Sequence, residues 1–201
     1  MGGALAGAAL STAGGAHAAT PAKARKPGPV IAKDGTELFV RDWGTGRPIV
    51  FLATTLPCLT RKTDNPNGVP PAYFDQMRKQ FYADFPKWID DNAEPFVTPS
   101  TSPLMKTWIK GMMLSATLQA ALALNKTMTA SDFRAELARL AVPTLYIHGD
   151  KDASSPLPIS AGPAAALTPG ARVVIYEGAP HGLFVTHIEK LNADIAAFAR
   201  G

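Results

Sequence analysis

The sequence predicts an α/β fold, a mostly parallel sheet with covering helices. Three observations carry that reading. Two short strand-like runs near the C-terminus, Thr144–His148 and Arg172–Tyr176, alternate with helical stretches, and that order implies parallel strands covered by helices. Pro48–Leu52 is a short, continuously apolar run between turn signals, the pattern of a strand buried on both faces. An acidic segment, His148-Gly149-Asp150-Lys151-Asp152-Ala153-Ser154-Ser155-Pro156, follows one late strand. A His-bearing segment, Glu177-Gly178-Ala179-Pro180-His181-Gly182, follows the next.

Taken in order, the first 22 residues hold no Asp, Glu, Lys or Arg, and Lys23 is the first charge. Ala4–Leu10 is apolar and Ala16-His17-Ala18 fits a small-residue cleavage box, so residues 1–29 read as an export signal with a Pro/Lys-rich linker, Thr20–Pro29. The cationic start of such a signal is missing after Met1-Gly2-Gly3. A start further upstream would supply it, and a flexible Ala/Gly tail is the alternative. The run is too short and too Gly-rich for a membrane span. The expectation is a periplasmic or secreted protein, or a cytoplasmic one if the segment is not a signal.

Residues 30–201 read as a single domain. Val30–Ala32, the turn Asp34-Gly35 and the alternating Thr36–Trp43 make a hairpin. Gly44-Thr45-Gly46 turns into Pro48–Leu52, Ala53–Pro57 prolongs the apolar run, and Lys62–Pro71 is a loop dense in Asn, Pro and Gly. Pro71–Ala83 has helical spacing, with Phe74, Met77, Phe81 and Tyr82 on one side, and Trp88–Ala93 adds another turn before the breaker-rich Pro95–Pro103. Leu104–Leu124 reads as one long Met/Leu/Ala-rich helical segment. Ser131 or Thr129 caps a helix through Leu140, with Phe133, Leu137 and Leu140 inward. His187–Ala199 closes the chain, with Ile188, Leu191, Ile195 and Phe198 at helical spacing.

Composition narrows the function. Hydrophobic residues make up 46% and charged ones 18%, values of an ordinary globular core rather than a disordered chain. The net charge of +4 comes without a basic stripe, which argues against a nucleic-acid surface. Cys58 is the single cysteine, so no internal disulfide forms. The four His are scattered without metal-ligand spacing, and Gly44-Thr45-Gly46 is a turn rather than a phosphate cradle. No metal and no cofactor are expected.

An acid at one strand end and a His after the next are the last two members of a Ser…Asp…His relay. Asp150 and Asp152 compete for the acid, and for both the plain alternative is to end a strand and bond loop amides. His181 sits in a tight loop between Pro180 and Gly182. His148, inside a strand, reads as a buried, hydrogen-bonded core residue; His187 reads as a surface or capping group, and His17 belongs to the leader. The nucleophile is the gap, because no G-x-S-x-G occurs in the chain. Ser154 and Ser155 lie on the acid loop, Ser115 inside a predicted helix, and Ser100 and Ser102 in a Pro-rich loop. Cys58 lacks the glycines of a sharp elbow. None is expected to replace the missing Ser.

Asp34–Leu52, the loop Thr63-Asp64-Asn65-Pro66-Asn67-Gly68-Val69-Pro70, Asp132-Phe133-Arg134 through Val142-Pro143-Thr144-Leu145, and the two late loops together resemble the α/β-hydrolases. The likeness is to the cofactor-free haloperoxidase (non-heme chloroperoxidase) and esterase branch. It implies Asp152, four residues before Pro156, as relay acid and His181 as general base. It also implies a small-molecule ester, or a carboxylic acid with peroxide, as substrate, with no nucleic acid and no membrane span. The departure is that Leu52 runs straight into Ala53-Thr54-Thr55-Leu56-Pro57. The oxyanion turn and the nucleophile elbow would stand between them in the family. The fold expected is therefore a truncated α/β-hydrolase, with the family's third and sixth strands merged, and marginal stability or self-association follows from the lost centre. Two functions are carried: an impaired serine esterase or haloperoxidase, and a catalytically dead remnant that binds or interacts, or is a deletion product without function.

Overall fold

In the computed structural model of the chain, residues 30–31, 37–38 and 48–200 are described. Strands β1 (Val30–Ile31) and β2 (Glu37–Leu38) pair antiparallel, Val30 with Leu38 and Ile31 with Glu37, as a hairpin requires. The turn Asp34-Gly35, the Gly44-Thr45-Gly46 turn and the leader segment 1–29 lie outside the described residues. The hairpin belongs to one compact unit, residues 1–45, and everything below to a second, residues 46–201.

The second unit is built on a three-stranded parallel sheet in the order β3 (Ile49–Leu52), β4 (Thr144–Gly149), β5 (Arg172–Tyr176). Strand β4 lies at the centre and all six of its residues are buried. Its side chains alternate between two faces, as the strand period demands. Leu145 and Ile147 enter one core with Val50, Leu52, Val174 and Tyr176. Tyr146 enters the other, stacked at 4.8 Å on its register partner Phe51.

The first core is covered by helix α7 (Ile188–Ala199), through Leu191, Ile195 and Phe198, and by the short α6 (Leu183–Thr186), through Leu183. The second is covered by α4 (Arg134–Leu137) and α5 (Ala161–Leu167), whose Leu137, Ala161 and Ala164 bring small or branched side chains against Tyr146. The Tyr146 hydroxyl donates to Thr168 Oγ1 at 2.8 Å, since the Thr168 hydrogen is already given to the Ala164 carbonyl. Each fully buried Leu, Ile or Val in these layers contributes on the order of 2 kcal/mol from burial.

One strand expectation changes. Strand β3 is half-buried at all four residues rather than buried on both faces, because β4 is its only sheet neighbour among the described residues. Strand β5, at an edge of the sheet among the described residues, leaves Val173 and Ile175 exposed on the face of their register partners Tyr146 and His148.

A helical layer fills residues 71–130. Helix α1 (Pro71–Ala93) is broken at Asp84, where φ is −163° and ψ 90°, and Pro86 stands two residues on. Proline cannot donate into the helix, and Asp84 instead caps the new start by accepting the Lys87 amide at 2.9 Å. Phe74, Phe81, Ile89 and Ala93 are its buried residues, whereas Tyr82 is exposed. The expected long helix Leu104–Leu124 is two, α2 (Pro103–Met113) and α3 (Leu118–Ala130). The break comes from local capping: the Ser115 hydroxyl donates to the Met112 carbonyl at 2.6 Å, and Thr117 Oγ1 accepts the Ala120 amide at 3.1 Å. Ser115 therefore lies in a turn rather than in a helix. Asn125 on α3 takes a 2.6 Å hydrogen bond from Arg78 on α1, fastening the two helices.

The helix expected from Thr129 or Ser131 to Leu140 shrinks to the four residues of α4. Thr129 belongs to the last turn of α3, and the Ser131 hydroxyl donates back to the Thr127 carbonyl at 2.7 Å. Leu137 is buried and Leu140 packs against the same core, but Phe133 is exposed, as is Ile188 at the start of α7. The segment is instead fixed by ions. Arg134 donates to both oxygens of Asp132, at 2.9 and 2.6 Å, and to the Asp64 carboxylate at 2.6 Å.

These Arg134 hydrogen bonds hold the Asp132 carboxyl well below the usual carboxylate range. A depressed folded-state value means that the stabilisation is complete above the ordinary carboxylate pKa, about 3.9, and is lost as pH falls below it. Asp132→Asn is expected to cost about 1 kcal/mol at pH 7, discounted for partial exposure. Thermal melts of both forms should converge as the pH is taken below about 4.

Candidate active site

Both sequence-selected loops leave the carboxyl ends of adjacent parallel strands, the position where α/β sheets place their sites. They are stitched together by backbone. The Asp150 amide donates to the Tyr176 carbonyl at 3.1 Å and the Lys151 amide to the Ala179 carbonyl at 3.0 Å. Gly149 permits this approach, because a Cβ there would lie 2.0 Å from the Ala179 carbonyl oxygen. Gly178 takes the turn with φ +70°, a region that favours glycine.

Asp152 and His181 meet across these loops. His181 Nδ1 stands 2.8 Å from Asp152 Oδ2. The Asp152 side chain is fully buried, whereas that of His181 keeps 23% of its surface exposed. The other Asp152 oxygen, Oδ1, accepts the backbone amides of Ser154 at 2.9 Å and Ser155 at 2.7 Å. A carboxylate so surrounded has one orientation. Asp150 is different: its Oδ1 accepts the Gly178 amide at 2.7 Å, the loop-bonding role open to both acids. Because Nδ1 faces a carboxylate it carries the hydrogen, which leaves Nε2 as the bare nitrogen. Among the described residues no hydrogen bond engages Nε2.

The loop before α2 positions the imidazole as well. The Phe96 carbonyl accepts the Gly182 amide at 2.7 Å, and the Phe96 ring meets the His181 ring edge-on at 5.2 Å. Nothing in the sequence singles out Phe96, because the surrounding Pro95–Pro103 reads only as helix breakers. An open cavity of about 500 Å³ lies beside these loops, lined by Pro95, Val97, Lys106, Lys151, Ala153 and Pro180 among others.

The remaining candidates lie elsewhere or are engaged. Ser154 and Ser155 hold the acid through their amides, and Ser155 is buried. Ser102 caps α2 by accepting the Met105 amide, and Ser100 pairs with Thr98. Cys58 is buried, its thiol turned to the Thr60 carbonyl at 3.8 Å. No hydroxyl or thiol among the described residues reaches His181. His187 heads α7, with its Nδ1 2.8 Å from the Thr186 hydroxyl. His148 is fully buried, as expected, but only half satisfied: Nε2 meets the Ser155 carbonyl at 2.8 Å, and Nδ1 has no partner among the described residues. Among the described residues no three His, Cys, Asp or Glu side chains gather as a metal site. No described helix is long and apolar enough to cross a membrane.

The sheet order, its covering helices and the acid and His loops at neighbouring strand ends define an α/β-hydrolase fold. No family model matches the sequence. The chain is 33% identical over 162 residues to a non-heme chloroperoxidase of Streptomyces lividans, an alignment covering 75% of this chain and 57% of that protein. It is 30% identical over 167 residues to a bifunctional esterase/perhydrolase of Acinetobacter calcoaceticus, with the same coverages of 75% and 57%. A crystal structure of a bromoperoxidase from Bacillus anthracis superposes with a TM-score of 0.74 at 24% identity, covering 84% of this chain and 61% of that one. The chain belongs to the α/β-hydrolase superfamily, in its haloperoxidase and esterase branch. It spans a little over half the length of the curated relatives it matches.

Proposed function

We propose that this chain carries the acid–base half of a carboxylic-ester hydrolase, with Asp152 and His181 as the working pair. The observation that supports this is the 2.8 Å contact between His181 Nδ1 and a fully buried Asp152 carboxylate, with Nε2 left open. In hydrolysis, Nε2 takes a proton from the attacking water or hydroxyl as the carbonyl carbon is attacked. It returns that proton to the departing alkoxide, while Asp152 steadies the imidazolium between the two steps. With peroxide in place of water, the same acyl transfer yields a peracid, the reagent that would support halogenation without a cofactor.

The chain holds no G-x-S-x-G, and Leu52 runs directly into Ala53-Thr54-Thr55-Leu56-Pro57, so the reaction of Asp152 and His181 is slow and His-dependent. Triad members act as a unit, and most of the rate enhancement goes when one is missing. The second reading, a non-catalytic remnant that binds small apolar molecules, is favoured by one observation: no described hydroxyl or thiol lies against Nε2.

Steady-state hydrolysis of p-nitrophenyl acetate by the wild type and His181→Ala separates the two. Slow turnover that falls about 100-fold in the variant supports the hydrolase, since a positioned base is worth at least that. Equal rates in the two proteins, with binding of an apolar dye, support the remnant.

A further inference from the structure

We infer that His148 is a positioning residue for the relay: its Nε2–H anchors the Ser155 carbonyl and borders the Asp152 carboxylate, so that Oδ2 stays aimed at His181. His148 is on β4, the most buried strand, and has no exposed surface. Its Nε2 lies 2.8 Å from the Ser155 carbonyl oxygen and 3.4 Å from Asp152 Oδ2. The shorter arm is the hydrogen bond; the longer one acts through the N–H dipole alone. A carbonyl oxygen only accepts, so Nε2 is the nitrogen that carries hydrogen. The Ser155 carbonyl takes a second donor, the Ser160 hydroxyl at 2.9 Å, and the Ser155 amide is one of the two that bind Asp152 Oδ1. His148 therefore reaches the acid twice, directly at Oδ2 and through Ser155 at Oδ1.

A core-filling histidine would be expected to satisfy both nitrogens. Here Nδ1 is buried without a partner among the described residues, and so is the Ser155 hydroxyl. The ring is oriented by what Nε2 does. Asp152 is the charged group that faces both imidazoles; Asp150 is turned to the Gly178 amide and Lys151.

The inference rests on Asp152 and His181 being the relay pair, but its test needs no turnover, so the two stand or fall separately. Titration of His181 is followed by NMR in the wild type, His148→Phe and His148→Gln. Removing the N–H leaves the Asp152 carboxylate freer to hold an imidazolium, so the His181 midpoint should rise by about 0.5 pH unit in the Phe variant. Glutamine restores a donor at the same reach and should return the midpoint to the wild-type value. A folded Phe variant with an unshifted midpoint overturns the inference. Should that variant not fold, the imidazole nitrogens of His148 in the wild type decide: hydrogen on Nε2 supports it, and hydrogen on Nδ1 overturns it.

Discussion

Gly149→Ala should destabilise the protein by about 3 kcal/mol or more and disperse the site in the same step. The new methyl would stand 2.0 Å from the Ala179 carbonyl oxygen, 2.6 Å from its carbon and 3.0 Å from the Pro180 carbonyl oxygen. All three are backbone atoms, so no side chain can swing away to make room. Relief requires the His loop to move off β4, which breaks the hydrogen bond from the Lys151 amide to the Ala179 carbonyl and carries His181 away from Asp152. Chemical denaturation measures the first effect. Ester turnover at temperatures where the variant is still folded measures the second. A variant as stable as the wild type would mean that the two loops are not in contact.

Asp152 is the other position of large effect, and two substitutions there separate structure from chemistry. Asp152→Ala strips the acceptor from the Ser154 and Ser155 amides inside the protein, and from His181. Buried donors left without partners cost about 1–3 kcal/mol each, so a loss of about 3 kcal/mol is expected after relaxation. Asp152→Asn keeps an oxygen for the two amides and places an N–H group against His181 Nδ1. The imidazole then presents Nδ1 as acceptor and carries its hydrogen on Nε2, the wrong tautomer for a base. The Asn form should remain folded and show only the turnover left in His181→Ala. Melting curves and p-nitrophenyl acetate rates on the same samples check both halves.

The C-terminal half was the legible part of the chain. Thr144–Gly149, Arg172–Tyr176 and α7 have one period each and short connections, so local pattern and tertiary structure agree there. Asp152 is singled out over Asp150 by resemblance only; from the residues alone the two are equivalent. What parts them is burial and partner choice, which depend on where β5 and its loop come to lie. Phe96 and the His148 contact to Asp152 were not legible, because each acts through backbone or across strands and leaves no mark on spacing. Elsewhere side-chain capping overrode hydrophobic period, as at Ser115 and Thr117, where an apolar run long enough for one helix becomes two. Pro48–Leu52 is half-buried where full burial was expected: among the described residues β4 is its one sheet neighbour, and an apolar run does not say how many neighbours it will have.

Tyr176 shows how the second edge of the sheet is fastened under the site. Burial and its hydrogen bond to Asp194 push its hydroxyl upward from the ordinary tyrosine range, while the Lys190 and Tyr176 hydrogen bonds lower Asp194. Lys190 also lies 4.2 Å above the Tyr176 ring. The last residue of β5 is thus tied to α7 just before the chain enters the His181 loop.

The most direct measurement is the nitrogen spectrum of the His181 imidazole at neutral pH. Hydrogen is expected on Nδ1, shared with Asp152, with Nε2 bare. Asp152→Asn should move the hydrogen to Nε2. Hydrogen on Nε2 in the wild type, unaffected by Asp152, would contradict an acid–base pair at this site.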